Sequence, residues 1–319
     1  MKKTGVSHIL GIKFPILQGG MLWLADATLA AAVSNAGALG VVSPLAGMEK
    51  GEEPSENFKK QINKTNNLTQ KPFGVNLPLD LPYIGSLVDV VLKEDVKIVI
   101  TAAGNPDVYS ALFKNKGCTL LHVVSNVHQA RIAGSCGADA VIAEGVEAAA
   151  HIGSDELPLF SLVPQVADAV SIPVVAAGGI VDSRGMAAAM ALGAQGVQLG
   201  TRFVAVKESP AHLNYKNAIL EANDSDTIIT GRRLMPTRSL KTRFSKQLLE
   251  LETSGAGIQE LMAFIGYRSN QKAQVSGDLD DGEAYCGASA GLIKEILPAT
   301  QVVQELIKGC KQIMTGWHL

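Results

Sequence analysis

A short stretch in the middle of the chain carries three side chains that can exchange protons. Glu144, Glu147 and His151 follow an apolar run at 140–143, which predicts a buried strand. Histidine has the unperturbed pKa nearest neutrality, so it can give or take a proton during catalysis. We therefore predict His151 as the catalytic residue, with a structural histidine as the alternative.

Two glycine turns are candidates for a phosphate site. Gly178-Gly179 follows a strand predicted at 173–177, and Gly200-Thr201 follows one predicted at 196–199. Glycine lets backbone amides approach a ligand closely, and a following helix start adds partial positive charge. Each turn alone is compatible with an ordinary tight turn. The presence of both, after the last two predicted strands, predicts phosphate binding.

Two further segments end strands with groups that suit a flat ligand. Gly19, Gly20 and Met21 follow the first predicted strand, where backbone and a polarisable thioether would face the ligand. Asn76 ends the third strand, and its amide can both donate and accept hydrogen bonds. A turn with a core methionine, and an asparagine that satisfies loop backbone, remain the alternatives.

Other kinds of site find less support. The spacing of Glu147 and His151 could suggest a metal-binding helix, but a loop is predicted here and no third ligand of matching strength stands out, so no metal is expected. His122 lies inside a predicted strand, which favours a hydrogen-bonded core residue. The sequence lacks a Gly-x-Gly-x-x-Gly fingerprint and a Cys-x-x-Cys pair, and none of the predicted strands is followed by a nucleophile elbow. The formal net charge of -2 does not indicate a basic surface that would bind nucleic acid or a membrane.

Alternating strand and helix patterns must position these residues. Eight short apolar runs, each followed by a helical pattern, predict a (β/α)8 TIM barrel, whose active sites collect at the carboxyl ends of the strands. A doubly wound open sheet is the competing fold. The predicted strands are 14–18, 39–43, 73–77, 97–102, 119–124, 140–143, 173–177 and 196–199. The helices that follow them are 26–35, 53–63, 84–93, 107–114, 127–135, 159–169, 184–192 and 211–221.

The strand-helix rhythm stops after residue 222. We predict residues 1–222 as the barrel and residues 223–319 as a helical C-terminal extension packed on it. Helical patterns in the extension cover 258–265 and 290–308, the second interrupted by Pro298. Scattered cysteines and the lack of an apolar signal segment predict a cytoplasmic protein.

In combination, these segments resemble the FMN-dependent family that contains nitronate monooxygenases and the flavin-type enoyl-acyl carrier protein reductase, enoyl reductase II. The similar stretches keep their order, at compatible spacing, over residues 8–222. They are 15–21, 71–76, 102–106, 138–153, 173–180 and 197–203.

The resemblance implies an FMN-binding barrel and a role for each matching position. Met21 and Asn76 match positions at the isoalloxazine ring, next to Gly20, while Glu144 and Ala149 match positions that line the flavin. His151 matches the active-site histidine of the family. The phosphate-binding loops are matched by Gly178, Gly179, Gln198, Leu199, Gly200 and Thr201.

The chain departs from the family at the loop before the histidine. The family commonly has Glu-Ala-Gly-Gly-His, whereas this chain has Glu147-Ala148-Ala149-Ala150-His151. The two added methyl groups restrict the backbone and crowd whatever approaches the loop. The conformation of this loop is therefore an open question at the level of sequence.

The resemblance also leaves two chemistries to choose between. Glu144-Gly145, His151-Ile152-Gly153 and the segment 197–214 are more similar to the enoyl reductases, in which NADH or NADPH reduces FMN and a substrate linked to acyl carrier protein is then reduced. Oxidation of small nitronates by O2 through FMN is the alternative, and a flavin-binding regulator or storage protein is the non-enzymatic one. The oligomeric state is open, with a homodimer as one option.

Overall fold

The computed structural model describes residues 4–266 and 268–316, with a barrel of eight parallel strands at its centre. The barrel strands are β1 (Ile16–Gln18), β2 (Gly40–Val42), β3 (Phe73–Pro78), β4 (Ile98–Ala102), β5 (Thr119–Val124), β6 (Ala140–Glu144), β8 (Val174–Ala177) and β9 (Gly196–Leu199); β7 (Ala150–His151) lies outside the barrel. Their spatial order is β1-β9-β8-β6-β5-β4-β3-β2. Hydrogen bonds of 2.9 Å, from Leu39 N to Ile16 O and from Gln18 N to Leu39 O, close the ring.

Helices surround the strands in the order expected of such a barrel. They are α2 (Ala27–Asn35), α3 (Pro54–Leu68), α4 (Ile84–Lys93), α5 (Asp107–Asn115), α6 (Val127–Ser135), α7 (Leu159–Ala169) and α8 (Ser183–Ala191). Side-chain caps fix where several begin: Asp26 accepts from Leu29 N and Asn126 from Gln129 N, both at 2.9 Å. The short helix α1 (Gly5–Ile9) packs Val6 against the barrel interior, among residues such as Leu17.

The predicted (β/α)8 barrel is confirmed, and the closed ring excludes the open sheet. Each predicted strand is present, with bounds that differ by no more than two residues. The reason is that both faces of a parallel strand are buried, so each strand is a nearly continuous apolar run in the sequence. All of β1, β2, β8 and β9 is buried.

The segment after the barrel strands is not purely helical, and the expectation of a helical extension was wrong in this respect. Strands β10 (Thr227–Thr230) and β11 (Thr237–Leu240) form an antiparallel hairpin, and β11 also pairs with β7. Strand β10 consists of the β-branched residues threonine and isoleucine, and β11 begins with Thr237; β-branched residues favour extended backbone. Both strands are too short to give a clear period in the sequence. The hairpin thereby reaches the loop that carries His151.

Six further α-helices of the described residues follow strand β9. They are α9 (Thr201–Val204), α10 (Leu213–Glu221), α11 (Arg243–Thr253), α12 (Ile258–Ile265), α13 (Ser269–Gln271) and α14 (Ala299–Gly316). Tyr215 and Ile219 of α10 are buried in a cluster with Trp23 and Cys286.

The last helix completes the ring around the barrel. Helix α14 packs against both α8 and α2, which is the place of the eighth helix in such a barrel. The predicted eighth helix, 211–221, is observed as α10 but does not take this place. The helical pattern of 290–308 breaks as expected, because Pro298 precedes the first turn of α14. The boundary at residue 222 remains a prediction, although the helix ring draws on residues from both sides of it.

Among the helices of residues 4–266 and 268–316, none is long and apolar enough to cross a membrane. Within the same residues, no group of three or more histidine, cysteine, aspartate and glutamate side chains is placed to hold a metal ion.

Candidate active site

A cavity of about 720 Å³ opens at the carboxyl ends of the barrel strands. It is lined by all but one of the residues predicted to form the site: Gly20, Met21, Asn76, Glu144, Ala149, His151, Gly178, Gly179, Gln198, Gly200 and Thr201. A cavity of this size and position is where barrel enzymes bind small ligands.

Leu199 is the predicted residue that does not line the cavity. It is 1% exposed, and its side chain packs in the core between the barrel and its helices. Successive residues of a strand face opposite sides, so Leu199 points outward because Gln198 points inward. The Leu199 carbonyl nevertheless contributes to the site by accepting a hydrogen bond from Gly19 N at 2.9 Å.

Three polar side chains in the cavity have no hydrogen-bond partner among the described residues of the protein. The Oε1 atom of Gln198 is buried without a hydrogen bond, and the side chains of Asn76 and Glu144 make none within the described part of the chain. Burial raises the pKa of Glu144 to about 7. Leaving buried polar groups unpaired is costly, so this arrangement suits a bound ligand that supplies both donors and acceptors.

The two glycine turns line the cavity with different backbone conformations. Gly178 and Gly179 have φ angles of +107° and +67°, which other residues adopt only with strain. Open space lies where a Cβ of Gly200 would be. The Thr201 hydroxyl accepts from Gly287 N at 3.0 Å, which fixes the second turn against the C-terminal segment. The turns therefore form a cradle beside the cavity that suits an anionic group.

His151 is held at the edge of the cavity by the small sheet. It lies opposite Thr237 in the β7–β11 pair, and its Nδ1 is 2.9 Å from Thr237 Oγ1. The ring also meets Tyr285 edge to face, with 5.8 Å between centroids. Surrounding protein lowers the pKa of His151, although the charge of Asp80 acts in the opposite direction. The imidazole is therefore neutral at pH 7.

Its neighbour Glu147 is structural. Both carboxylate oxygens of Glu147 accept from Leu159 N at 3.0 Å, where α7 begins. This contact satisfies a helix-terminal amide and places negative charge at the positive end of the helix. Of the two acidic residues beside His151 in sequence, only Glu144 lines the cavity.

The loop before His151 adopts a strained conformation at one of its two added methyl groups. Ala150 has a φ of +65°, in the left-handed region, whereas Ala149 does not. An alanine in this region costs about 1–2 kcal/mol. The surrounding structure, including the β7–β11 pairing, therefore holds Ala150 in a conformation that glycine would adopt without strain.

His122 has both a structural contact and access to the cavity. The prediction of a hydrogen-bonded core residue is confirmed, because its Nδ1 lies 2.7 Å from Thr101 Oγ1 and the residue is 4% exposed. It nevertheless lines the cavity, which the sequence did not indicate. Burial lowers the pKa of His122 to about 4, so it is neutral at pH 7.

The C-terminal segment supplies cavity residues that sequence reasoning missed, among them Asn270, Gln274, Tyr285 and Ser289. They lie outside the strand-helix units, where neither period nor glycine spacing marks them. Tyr285 and Asn270 also line a second cavity of about 240 Å³, on the far side of His151. There the buried Glu283 hydrogen-bonds Tyr285, and burial raises the pKa of Glu283 to about 7.

A closed parallel barrel with such a cavity defines a TIM-barrel enzyme, and the comparisons give its family. The family model for nitronate monooxygenase matches residues 3–87 and 83–309, and the chain therefore belongs to this family of oxidoreductases. This confirms the family resemblance inferred from the motifs.

Individual relatives carry several names. The chain is 43% identical to FabK from Thermotoga maritima; the match covers 99% of this chain and 98% of FabK, with a TM-score of 0.93. The chain is 38% identical over 242 residues to a hydroxy-methyl-oxo-octahydro-indene-carboxyl-CoA dehydrogenase from Rhodococcus jostii, a match that spans 75% of this chain and 66% of the relative. It is 31% identical to the nitronate monooxygenase of Paraburkholderia phytofirmans, over 97% of this chain and 96% of the relative.

Proposed function

We propose that this protein is an FMN-dependent enoyl thioester reductase that takes electrons from NADH or NADPH and acts on chains carried by acyl carrier protein. The likeness to FabK, an enoyl-acyl carrier protein reductase, supports this choice because its 43% identity exceeds the 31% identity to the Paraburkholderia nitronate monooxygenase at similar coverage. The name of the Rhodococcus relative also indicates a thioester substrate. When bound, FMN supplies hydride transfer between the nicotinamide and the substrate double bond.

The residues present fit FMN. Amides of the turns at Gly178-Gly179 and Gly200-Thr201 would hold the phosphate without a basic side chain. The unpaired groups of Asn76, Gln198 and Glu144 would meet the polar edge of the ring system. Met21 would contact its flat face.

The charge of the cavity lining is the observation that favours a reductase over a nitronate oxidase. Its lining contains the carboxyl groups of Asp80 and Glu144 and, among the described residues, neither lysine nor arginine. The pKa of His151 is lowered, so this residue adds no positive charge at pH 7. A nitronate anion would lack a cationic partner here, whereas the reacting end of an enoyl thioester is uncharged.

Nitronate oxidation is the second candidate, favoured by the family model and by the Paraburkholderia relative. Anaerobic stopped-flow reduction of the flavin in the purified protein distinguishes the two. We expect rapid reduction by NADH or NADPH, followed by reoxidation on adding an enoyl thioester. Reduction by a nitronate and not by either nicotinamide would overturn the proposal in favour of the oxidase.

A cytoplasmic location belongs to the same proposal, with a homodimer as one option for the oligomeric state. Fatty acyl chains on acyl carrier protein and both nicotinamides are met in the cytoplasm. Size-exclusion chromatography with light scattering of the flavin-loaded protein would give the oligomeric state directly.

A further inference from the structure

The hydroxyl group of Thr237 lies between two groups of the site. Its Oγ1 atom is 2.9 Å from the Met235 carbonyl oxygen and 2.9 Å from Nδ1 of His151. Thr237 itself is 4% exposed, whereas His151 is exposed at the edge of the cavity, so the hydroxyl is the buried partner in both contacts. Both distances are those of ordinary hydrogen bonds.

The two contacts together determine where the protons lie. A carbonyl oxygen can only accept, so the single hydroxyl proton of Thr237 must point to Met235. Only lone pairs then remain to face His151. The Nδ1 atom must therefore carry a proton and donate it to Thr237, which leaves Nε2 of the neutral ring without one.

The backbone holds this arrangement in place. His151 and Thr237 are directly opposed in the antiparallel pair of β7 and β11. The next residue, Ile152, donates from its amide to the Pro236 carbonyl at 2.9 Å. Side chains opposed in this way are held in contact by the strands themselves.

We propose that Thr237 is a positioning residue that fixes His151 in the form protonated at Nδ1, so that Nε2 alone exchanges a proton with the occupant of the cavity. The tautomer follows from the geometry, whereas its effect on turnover rests on the proposed function. The bond from Nδ1 to Thr237 is kept when Nε2 gains a proton, so the ring does not turn during the exchange. A neutral His151 can accept a hydrogen bond at Nε2, and only the imidazolium can donate one to a substrate carbonyl.

The tautomer is measured by NMR of the full-length, flavin-loaded protein with ¹⁵N-labelled histidine, and a His151→Gln variant assigns the signals. We expect Nδ1 of His151 to be protonated and Nε2 to be unprotonated at pH 8, in the wild type and in Thr237→Ser. In Thr237→Val, which has the same shape without the acceptor, the two tautomers should mix. Protonation at Nε2 in the wild type, or an unchanged spectrum in Thr237→Val, would overturn the proposal.

Kinetics of the same variants test the consequence for turnover. We expect Thr237→Val to slow the substrate half-reaction by about tenfold, less than removal of the imidazole itself, with reduction by nicotinamide unchanged. Thr237→Ser should recover the rate to within about twofold, because it restores the acceptor. Equal rates in all three proteins would exclude the positioning role. If the wild type turns over no enoyl thioester, the proposed function fails and the NMR result still decides the tautomer.

Discussion

Gly20 lies so close to Asn76 that a Cβ atom on the glycine would be 2.3 Å from the amide carbon Cγ. The Asn76 side chain makes no hydrogen bond to protein within the described residues, so this glycine leaves room for it to face the cavity. Gly20→Ala should displace Asn76 and weaken FMN binding by about tenfold, the equivalent of one lost hydrogen bond. Fluorescence titration of the apoprotein with FMN measures this, and Gly85→Ala, with open space at its Cβ, is the control. Unchanged affinity in Gly20→Ala would argue against a flavin contact at Asn76.

Gly200 allows the phosphate site to be tested by charge alone. Its φ is -102° and no atom outside its chain neighbours lies within 4 Å of the position that a Cβ would take, so a small side chain fits here. Gly200→Asp should bind FMN at least about tenfold more weakly than Gly200→Asn, which has the same shape and no charge, because the carboxylate would face the phosphate. Equilibrium dialysis gives both constants. Similar affinities in the two variants would place the phosphate elsewhere.

Ala150 and Ala149 should respond in opposite directions to replacement by glycine. Ala150→Gly relieves a φ of +65° and should raise the free energy of unfolding by up to about 1 kcal/mol. Ala149→Gly relieves no backbone strain and should lower the free energy of unfolding by about 0.5–1 kcal/mol, because glycine loses more backbone entropy on folding. Urea unfolding of the two variants beside the wild type makes the comparison. Destabilisation of both to the same extent would show that Ala150 is not strained.

His151→Ala should separate chemistry from folding. The side chain borders the cavity and contacts Thr237 and Tyr285, so its loss should slow the substrate half-reaction by about 10²-fold or more while FMN is retained. Reduction of the flavin by nicotinamide should change less, because hydride transfer needs no proton from this residue. His128→Ala is the matched control, because this exposed side chain of α6 does not line the cavity. Loss of flavin and fold together in His151→Ala would instead identify a structural histidine.

Glu283 should make stability depend on pH. Burial raises the pKa of its carboxyl group to about 7 from the ordinary 4.5, so the folded state favours the protonated form. Its contribution to the free energy of unfolding is fully present below pH 4.5. As the pH rises to 7, this contribution is lost, and the free energy of unfolding falls by on the order of 3 kcal/mol. Glu283→Gln cannot ionise, so its unfolding free energy should fall less between pH 4.5 and 8. Denaturant unfolding across this range checks the slope, with the exposed Glu260→Gln as control; parallel curves for wild type and Glu283→Gln would contradict the prediction.

The sequence predicted the barrel well because its signals are local. Apolar runs such as 119–124 and capping residues such as Asp26 act within a few positions, and each is repeated around the ring. The glycine turns after β8 and β9 were predictable for the same reason, since they follow strands directly. The side chain of Leu199 faces the core because inward and outward positions alternate within a short strand, and its place in a phosphate-binding loop stays a prediction.

The partners of His151 were beyond prediction because they come from distant, irregular parts of the chain. Thr237 is 86 positions away and Tyr285 lies further still, on a segment without helical or strand period. Short strands such as β11 form because other elements pair with them, and the sequence of the strand itself shows little sign of that pairing. Nothing around Thr237 in the sequence marks it as a neighbour of the loop after β6.

The placement of α14 between α8 and α2 has a consequence for synthesis of the protein. Strand β1 can pair with β9 only after residues 196–199 have been synthesised. The ring of helices can close only after α14, which ends at residue 316, has been synthesised. A chain still emerging from the ribosome therefore leaves the apolar outer faces of α2 and α8 uncovered until translation is nearly complete. Such late, long-range closure slows folding and prolongs exposure to aggregation, so chains that terminate early should depend on chaperones or be degraded.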